Sequence, residues 1–219
     1  MITATTTTTT TRFPAAGTGL EGDLYLPAHA HGLVLFAHGS GSSRFSPRNR
    51  LVAGELNRRA FGTLLVDLLT HDEDVTEART RDLRFDIGLL ADRLIGLVDH
   101  WARQPATRGL PIGLFGASTG AAAALVAAAS RADRVGAVVA RGGRPDLAGP
   151  ALIQVSAPTL LIVGEKDVPV VELNEQARNA MAVAAELRIV PGATHLFEEP
   201  GALEIVAEEA ATWFSAHLR

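Results

Sequence analysis

Cysteine is absent from the 219 residues of this sequence. A disulfide framework, a zinc–thiolate site and a cysteine nucleophile are therefore excluded. Long apolar runs and basic clusters are missing too. No run approaches the roughly 20 residues that cross a bilayer, and the formal net charge is −4. We therefore expect neither a membrane nor a nucleic acid as a partner.

The N-terminus lacks the basic and apolar regions of a secretion signal, which favours a cytoplasmic protein. Residues 5–11 are all threonine, a residue with good strand propensity. We expect residues 1–12 to form a frayed end or an added edge strand, followed by one domain over residues 13–219. A chain of this length that is 47% hydrophobic can bury a sizeable core.

Short apolar runs alternate with longer amphipathic segments along the chain. This alternation predicts a three-layer α/β/α sandwich with a mainly parallel sheet. Strands are predicted over residues 20–26, 33–37, 61–66, 111–115, 135–140, 159–163 and 186–190. Helices are predicted over residues 47–60, 82–101, 119–130, 171–184 and 202–218. In such a sheet, ligands bind beyond the carboxyl ends of the strands.

The pentapeptide G-x-S-x-G follows the strand predicted over residues 111–115, with Ser118 at its centre. A tight turn from strand to helix needs small residues on both sides of an exposed serine. Because an apolar strand precedes the motif and an apolar helix follows it, we predict that Ser118 is a nucleophile. A glycine-rich turn without chemistry is the alternative.

A serine hydroxyl needs a base, usually a histidine that a carboxylate orients. Asp167 and His195 each follow a later strand, and their chain order is Ser, Asp, His. We predict that these three residues form a catalytic triad. Glu165, Asp67 and Asp72 are rivals for the role of the acid.

Hydrolysis also needs hydrogen-bond donors for the developing oxyanion. We predict the backbone N–H groups of Thr119 and Ser40, which lies in the glycine-rich loop after residues 33–37. His38 and Gly39 in this loop are candidate substrate-binding residues, as are Arg44 and Arg141. The two arginines either hold a substrate carboxylate or phosphate, or form structural ion pairs, for instance with acidic residues 146 or 55.

His29 and His31 form an H-x-H pair without a third ligand at convincing spacing. We therefore predict neither a metal site nor another cofactor.

The motifs HGSGSSR, GASTG, GEKD and PGATHLF occur in this order. Together they resemble the α/β-hydrolase superfamily and, within it, the small, lidless dienelactone hydrolase-like group. The resemblance runs from about residue 20 to the C-terminus. It implies an eight-stranded, mostly parallel sheet, with Ser118, Asp167 and His195 as the triad. The short stretch over residues 141–158 leaves no room for a large cap domain.

One departure from this group concerns the nucleophile. Authentic dienelactone hydrolases use a cysteine where this chain has Ser118, so dienelactone itself is not the expected substrate. Haloalkane dehalogenases of the superfamily use an aspartate there, which disfavours their reaction too. We predict hydrolysis of small carboxylic esters through an acyl-enzyme. A thioesterase, a peptidase and a non-catalytic binding scaffold are alternatives, and a homodimer is left open.

Overall fold

The computed structural model describes residues 8–183 and 185–218, which form eight strands and six α-helices. The strands are β1 Thr8–Ala15, β2 Thr18–Tyr25, β3 Leu33–Ala37, β4 Gly62–Val66, β5 Ile112–Ala117, β6 Val135–Arg141, β7 Thr159–Gly164 and β8 Ala185–Val190. The helices are α1 Pro47–Arg58, α2 His71–Thr80, α3 Ile87–Trp101, α4 Thr119–Ser130, α5 Val168–Ala180 and α6 Ala202–His217.

The strands form one sheet in the order β1-β2-β4-β3-β5-β6-β7-β8. The six strands from β3 to β8 are parallel, whereas β2 runs antiparallel to both β4 and β1. The predicted α/β-hydrolase architecture with a mostly parallel eight-stranded sheet is therefore confirmed. All carboxyl ends of the parallel strands lie at one edge, where the chemistry is expected.

The eighth strand comes from the threonine-rich N-terminus. β1 pairs with β2 from Thr8 opposite Tyr25 to Ala15 opposite Thr18. Residues 8–12 thus lie in an edge strand, while residues 1–7 fall outside the described part of the chain. The proposed division between residues 12 and 13 stays a prediction.

Helices cover both faces of the sheet. In β3, Val34 and Phe36 pack with α1 and α6, whereas Leu33 and Leu35 pack with α3 and α4 on the other face. Successive side chains of a strand point to opposite faces. A strand buried on both faces is therefore apolar throughout, and this explains the run over residues 33–37.

The structure differs from the predicted helices at three places. α2 was not predicted, because its sequence is almost wholly polar. A capping box between Thr70 and Glu73 begins this helix. α3 begins at Ile87, after a short 3-10 helix over Leu83–Phe85. α5 begins at Val168 and ends at Ala180, and residue 184 of the predicted helix lies outside the described residues.

No cap domain covers the carboxyl edge in the described chain. Between β6 and β7 the chain forms only 3-10 turns over Pro145–Gln154, interrupted at Gly149. Within residues 8–183 and 185–218, no helix combines the length and apolar character that a bilayer span requires.

Candidate active site

Ser118 lies at the turn between β5 and α4. Its backbone has φ 51° and ψ −120°, a conformation that is costly for any residue with a side chain. Strained residues of this kind are held in place by their surroundings and concentrate at functional sites. The Ser118 backbone is held from both sides, because its N–H donates to the Arg141 carbonyl and its carbonyl accepts from the Arg144 N–H.

Gly116 and Gly120 are needed for this turn because the backbone packs too closely for a side chain. A Cβ atom on Gly116 would collide with the Ala121 backbone. One on Gly120 would collide with the carbonyl oxygens of Ala37 and His38 at the end of β3. The G-x-S-x-G pattern therefore has the steric cause that its sequence suggested.

Asp167 and His195 are in direct contact. The Nδ1 atom of His195 lies 2.6 Å from Oδ2 of Asp167. The Asp167 side chain is 14% exposed and that of His195 is 39% exposed. The carboxylate thus fixes the ring orientation while part of the imidazole stays open to solvent.

The loops that carry these two residues are tied together by backbone hydrogen bonds. The Glu165 N–H donates to the Val190 carbonyl at 3.0 Å, and the Lys166 N–H donates to the Ala193 carbonyl at 2.9 Å. Gly164 allows this approach, since a Cβ there would collide with the carbonyls of Ala193 and Thr194. The Asp167–His195 contact is therefore supported by the ends of β7 and β8.

Gly142 brings the His195 loop to the Ser118 turn. A Cβ atom on Gly142 would lie 3.5 Å from both Nδ1 and Cε1 of the His195 ring. Gly142 directly follows Arg141, whose carbonyl accepts the Ser118 N–H at 3.2 Å. The ring therefore packs on the segment that is hydrogen-bonded to Ser118.

The rivals for the acid have other partners or positions. Both carboxylate oxygens of Asp67 accept hydrogen bonds from Arg44. Glu165 accepts the Gly192 N–H at 2.7 Å. Asp72 lies in the first turn of α2. Of the four candidate acids, Asp167 is the one bonded to His195.

The loop after β3 lies against the Ser118 turn. A Cβ atom on Gly39 would be 2.9 Å from the Ser118 Cβ. The Ser40 N–H donates to Thr119 Oγ1 at 3.1 Å, so this predicted oxyanion donor already has an intramolecular acceptor. The loop and the turn are thus one connected unit.

His38 supports the loop through both ring nitrogens. The Leu68 N–H donates to Nε2 at 3.1 Å, so Nδ1 carries the proton and donates to the Gly39 carbonyl at 3.0 Å. Loss of hydration lowers the pKa of His38 below its usual value, against the opposing effect of the Gly39 carbonyl. His38 is therefore a neutral structural group of the loop.

The two arginines have different environments. Arg44 pairs with Asp67, Glu21 and Asp23, and its side chain is 12% exposed. Arg44 therefore makes structural ion pairs. Its partners are not Asp146 or Glu55, the acidic residues suggested from the sequence.

Arg141 is 8% exposed, and its Nη1 atom is buried without a hydrogen-bond partner among the described residues. Burial, and to a smaller extent the charge of Arg48, lowers the pKa of Arg141 to about 10. A buried guanidinium nitrogen with no partner in the described part of the chain is unusual beside the Ser118 turn.

Metal ligation finds no support in the part of the chain that the structure describes. No group of three or more His, Asp or Glu side chains there is arranged to hold a metal ion. His29 and His31 are both exposed in the loop between β2 and β3.

Comparisons with known proteins identify the family of this chain. The model of the Dienelactone hydrolase family matches residues 25–217. The chain belongs to the dienelactone hydrolase family. A dienelactone hydrolase from Anabaena variabilis has a crystal structure with a TM-score of 0.96 and 54% identity, and the match covers 98% of this chain and 99% of that one.

More distant structures share the fold of this chain. Est1E from Butyrivibrio proteoclasticus, solved with ferulic acid bound, has a TM-score of 0.78 at 17% identity. That match covers 94% of this chain and 98% of Est1E. At this identity the likeness shows the fold, whereas the family match indicates a hydrolase.

Two Mycobacterium tuberculosis relatives carry a different name, "Putative phosphoribosyl transferase". Each is 57% identical over 199 residues, and the match covers 91% of this chain but 44% of the relative. The chain thus spans less than half the length of these curated relatives.

Sequence reasoning did not identify several supporting residues. Gly142 beneath the His195 ring, Arg48 near Arg141, and Glu199, which accepts the Thr194 N–H at 3.1 Å, all depend on tertiary contacts. The Gly142-Gly143 pair after β6 was a usable sign of close backbone approach.

Proposed function

We propose that this protein is a serine hydrolase that cleaves small carboxylic esters through Ser118, His195 and Asp167. The observation that carries the proposal is the 2.6 Å contact between Asp167 and His195 beside the strained Ser118 turn. An imidazole oriented by a carboxylate near a partly buried serine is the arrangement that nucleophilic acyl transfer requires.

In the proposed reaction, Nε2 of His195 takes the Ser118 proton as Oγ attacks the ester carbonyl. Asp167 holds the Nδ1–H tautomer and stabilises the imidazolium that forms. The Thr119 and Ser40 N–H groups stabilise the oxyanion of the tetrahedral intermediate. The intermediate collapses, the leaving alcohol takes the proton from His195, and Ser118 retains the acyl group. Water activated by His195 then releases the acid and restores the serine.

Arg141 is the proposed substrate-recognition group. A buried charge without a partner is costly, because the protein replaces only part of its lost hydration. A carboxylate or phosphate on the substrate would provide the missing partner with charge-assisted hydrogen bonds. Arg44 is not part of this proposal, because three carboxylates already neutralise it.

The test is hydrolysis of p-nitrophenyl acetate by the wild type and by Ser118→Ala. We expect the substitution to abolish turnover in a folded protein, and a fluorophosphonate to modify Ser118 of the wild type. Ser130→Ala, at the exposed far end of α4, is the matched control and should keep full activity. Undiminished turnover by Ser118→Ala would refute the assignment.

A substrate panel tests the type of bond that is cleaved. Short esters, acyl thioesters and aminoacyl amides should be compared by kcat/KM in the same buffer. We expect the esters to have the highest values. A wild type that neither turns over any of them nor reacts with the fluorophosphonate would instead be a binding scaffold.

A further inference from the structure

Ser40 and Thr119 are joined by two hydrogen-bonding contacts, although they are 79 residues apart in the chain. The Ser40 N–H donates to Thr119 Oγ1 at 3.1 Å, and the two hydroxyl oxygens lie 3.2 Å apart. Thr119 is 2% exposed, so water has little access to its hydroxyl. These bonds connect the loop after β3 to the turn that carries Ser118.

The loop needs a connection at this point. Ser40 lies between Gly39 and Gly41, and Gly41 has φ +64°, so the local backbone is permissive. The other anchors of the loop, His38 and Arg44, are bonded to residues that follow β4. They hold the two ends of the loop, whereas Thr119 holds Ser40 itself.

We propose that Thr119 is a positioning residue for the oxyanion hole and that it acts through its side-chain hydroxyl. This inference rests on the proposed function, in which the N–H groups of Thr119 and Ser40 are the two donors. Thr119 then supplies one donor through its own backbone and fixes the other through its hydroxyl. A single residue sets the separation of both donors, which must be held within about 0.5 Å of the productive geometry.

The bond between Ser40 and Thr119 is compatible with catalysis because the oxyanion is the stronger acceptor. Hydrogen bonds to a charged oxygen are roughly twice as strong as those between neutral groups. The oxyanion therefore competes with the Thr119 hydroxyl for the Ser40 N–H, or shares it. A neutral substrate carbonyl is a weaker acceptor, so it gains much less stabilisation from the Ser40 N–H. The arrangement favours the transition state over the bound substrate, which is the requirement for raising kcat.

Removing the hydroxyl should displace the donor. In Thr119→Val, a methyl group replaces Oγ1, so the Ser40 N–H loses its acceptor and the Ser40 hydroxyl loses its partner. A buried donor without a partner is unfavourable. The glycine-flanked loop should therefore turn toward water and carry the Ser40 N–H away from the oxyanion position.

The experiment compares Thr119→Val, Thr119→Ser and Thr119→Ala in p-nitrophenyl acetate hydrolysis. We expect Thr119→Val to lower kcat by about 100-fold, the effect of losing one oxyanion donor, with KM nearly unchanged. The Ser and Ala variants form a matched pair, because both lack the methyl group and differ only in the hydroxyl. Thr119→Ser should stay near the wild-type kcat and Thr119→Ala should not, even if Thr119→Val fails to fold.

A second measurement separates positioning from general stability. A trifluoromethyl ketone forms a tetrahedral oxyanion adduct with a catalytic serine, so its inhibition constant should rise in parallel with the loss of kcat. Ser40→Ala removes one hydroxyl but keeps the N–H bond to Thr119 and should have a smaller effect. Equal kcat in Thr119→Ser and Thr119→Ala, or a loss in Ser40→Ala as large as in Thr119→Val, would overturn the inference.

Failure of this inference is distinguishable from failure of the proposed function. If the wild type neither hydrolyses esters nor reacts with the fluorophosphonate, the serine hydrolase itself is refuted. If the wild type is active, Ser118→Ala is inactive and the hydroxyl of Thr119 has no effect on kcat, only the positioning role is refuted.

Discussion

The Asp167 carboxylate lies 2.6 Å from Nδ1 of His195, and the two residues come from loops at the ends of β7 and β8. Asp167 also precedes the first turn of α5. A carboxylate oxygen that accepts from Nδ1 directs Nε2, the nitrogen that a general base uses, away from Asp167.

The first prediction concerns the acid. Asp167→Asn should lower kcat for p-nitrophenyl acetate by about 10⁴-fold, because the amide no longer fixes the required histidine tautomer. Glu165→Gln is the matched control, since its amide oxygen can still accept the Gly192 N–H. Steady-state kinetics should find little change in this control. A greater loss in Glu165→Gln than in Asp167→Asn would assign the acid to Glu165.

The second prediction concerns Arg141. Arg141→Met should lower kcat/KM for anionic esters by about 10- to 100-fold, because a hydrogen-bonded charge is lost. Mono-4-nitrophenyl succinate tests a carboxylate, and 4-nitrophenyl phosphonoacetate tests a phosphate-like group. p-Nitrophenyl acetate, which is neutral, should be hydrolysed almost as before. An equal loss on all three esters would mean that Arg141 is structural and does not bind substrate anions.

The third prediction concerns the pH dependence of stability that arises from His38. Its folded-state pKa is lowered, so below about pH 6.5 the unfolded chain binds a proton that the folded chain does not. The free energy of unfolding should therefore fall as the pH falls from 7 to 5. Urea unfolding should give a shallower pH dependence for His38→Gln. The same slope in both proteins would contradict a neutral His38.

The fourth prediction concerns the start of α2. Glu73 accepts hydrogen bonds from Arg93 and from the Thr70 N–H, and these lower the pKa of its carboxyl to about 2. Arg93 is 4% exposed. Glu73→Gln removes the negative charge beside this buried cation, which keeps its hydrogen bond to the Leu68 carbonyl, and should lower the free energy of unfolding at pH 7 by about 3 kcal/mol.

The matched control for Glu73 is Glu175→Gln on the exposed face of α5, which should change stability by less than about 0.5 kcal/mol. The stabilisation by Glu73 is fully present above about pH 4.5 and is lost as the pH falls toward 2. The difference in the free energy of unfolding between wild type and Glu73→Gln should therefore shrink as the pH falls from about 4.5 toward 2. A constant difference from pH 7 to pH 3 would rule out an ionised Glu73 as its cause.

The sequence determined the sheet and the place of the candidate chemistry. Continuous apolar runs such as residues 33–37 are required of strands buried on both faces, and the small residues around Ser118 are required by a turn without space for side chains. These features depend on short-range sterics and periodicity. They can therefore be inferred without knowing which elements meet.

Tertiary structure alone decided which charged groups have partners. Asp67 and Asp167 both follow apolar strands, yet one is bonded to Arg44 and the other to His195. Arg44 and Arg141 likewise appeared equivalent in the sequence, but of these two only Arg44 is paired with carboxylates of the described residues. Ser40 meets Thr119 across 79 residues. Such pairings depend on strand order and loop path, which bring together residues far apart in the chain.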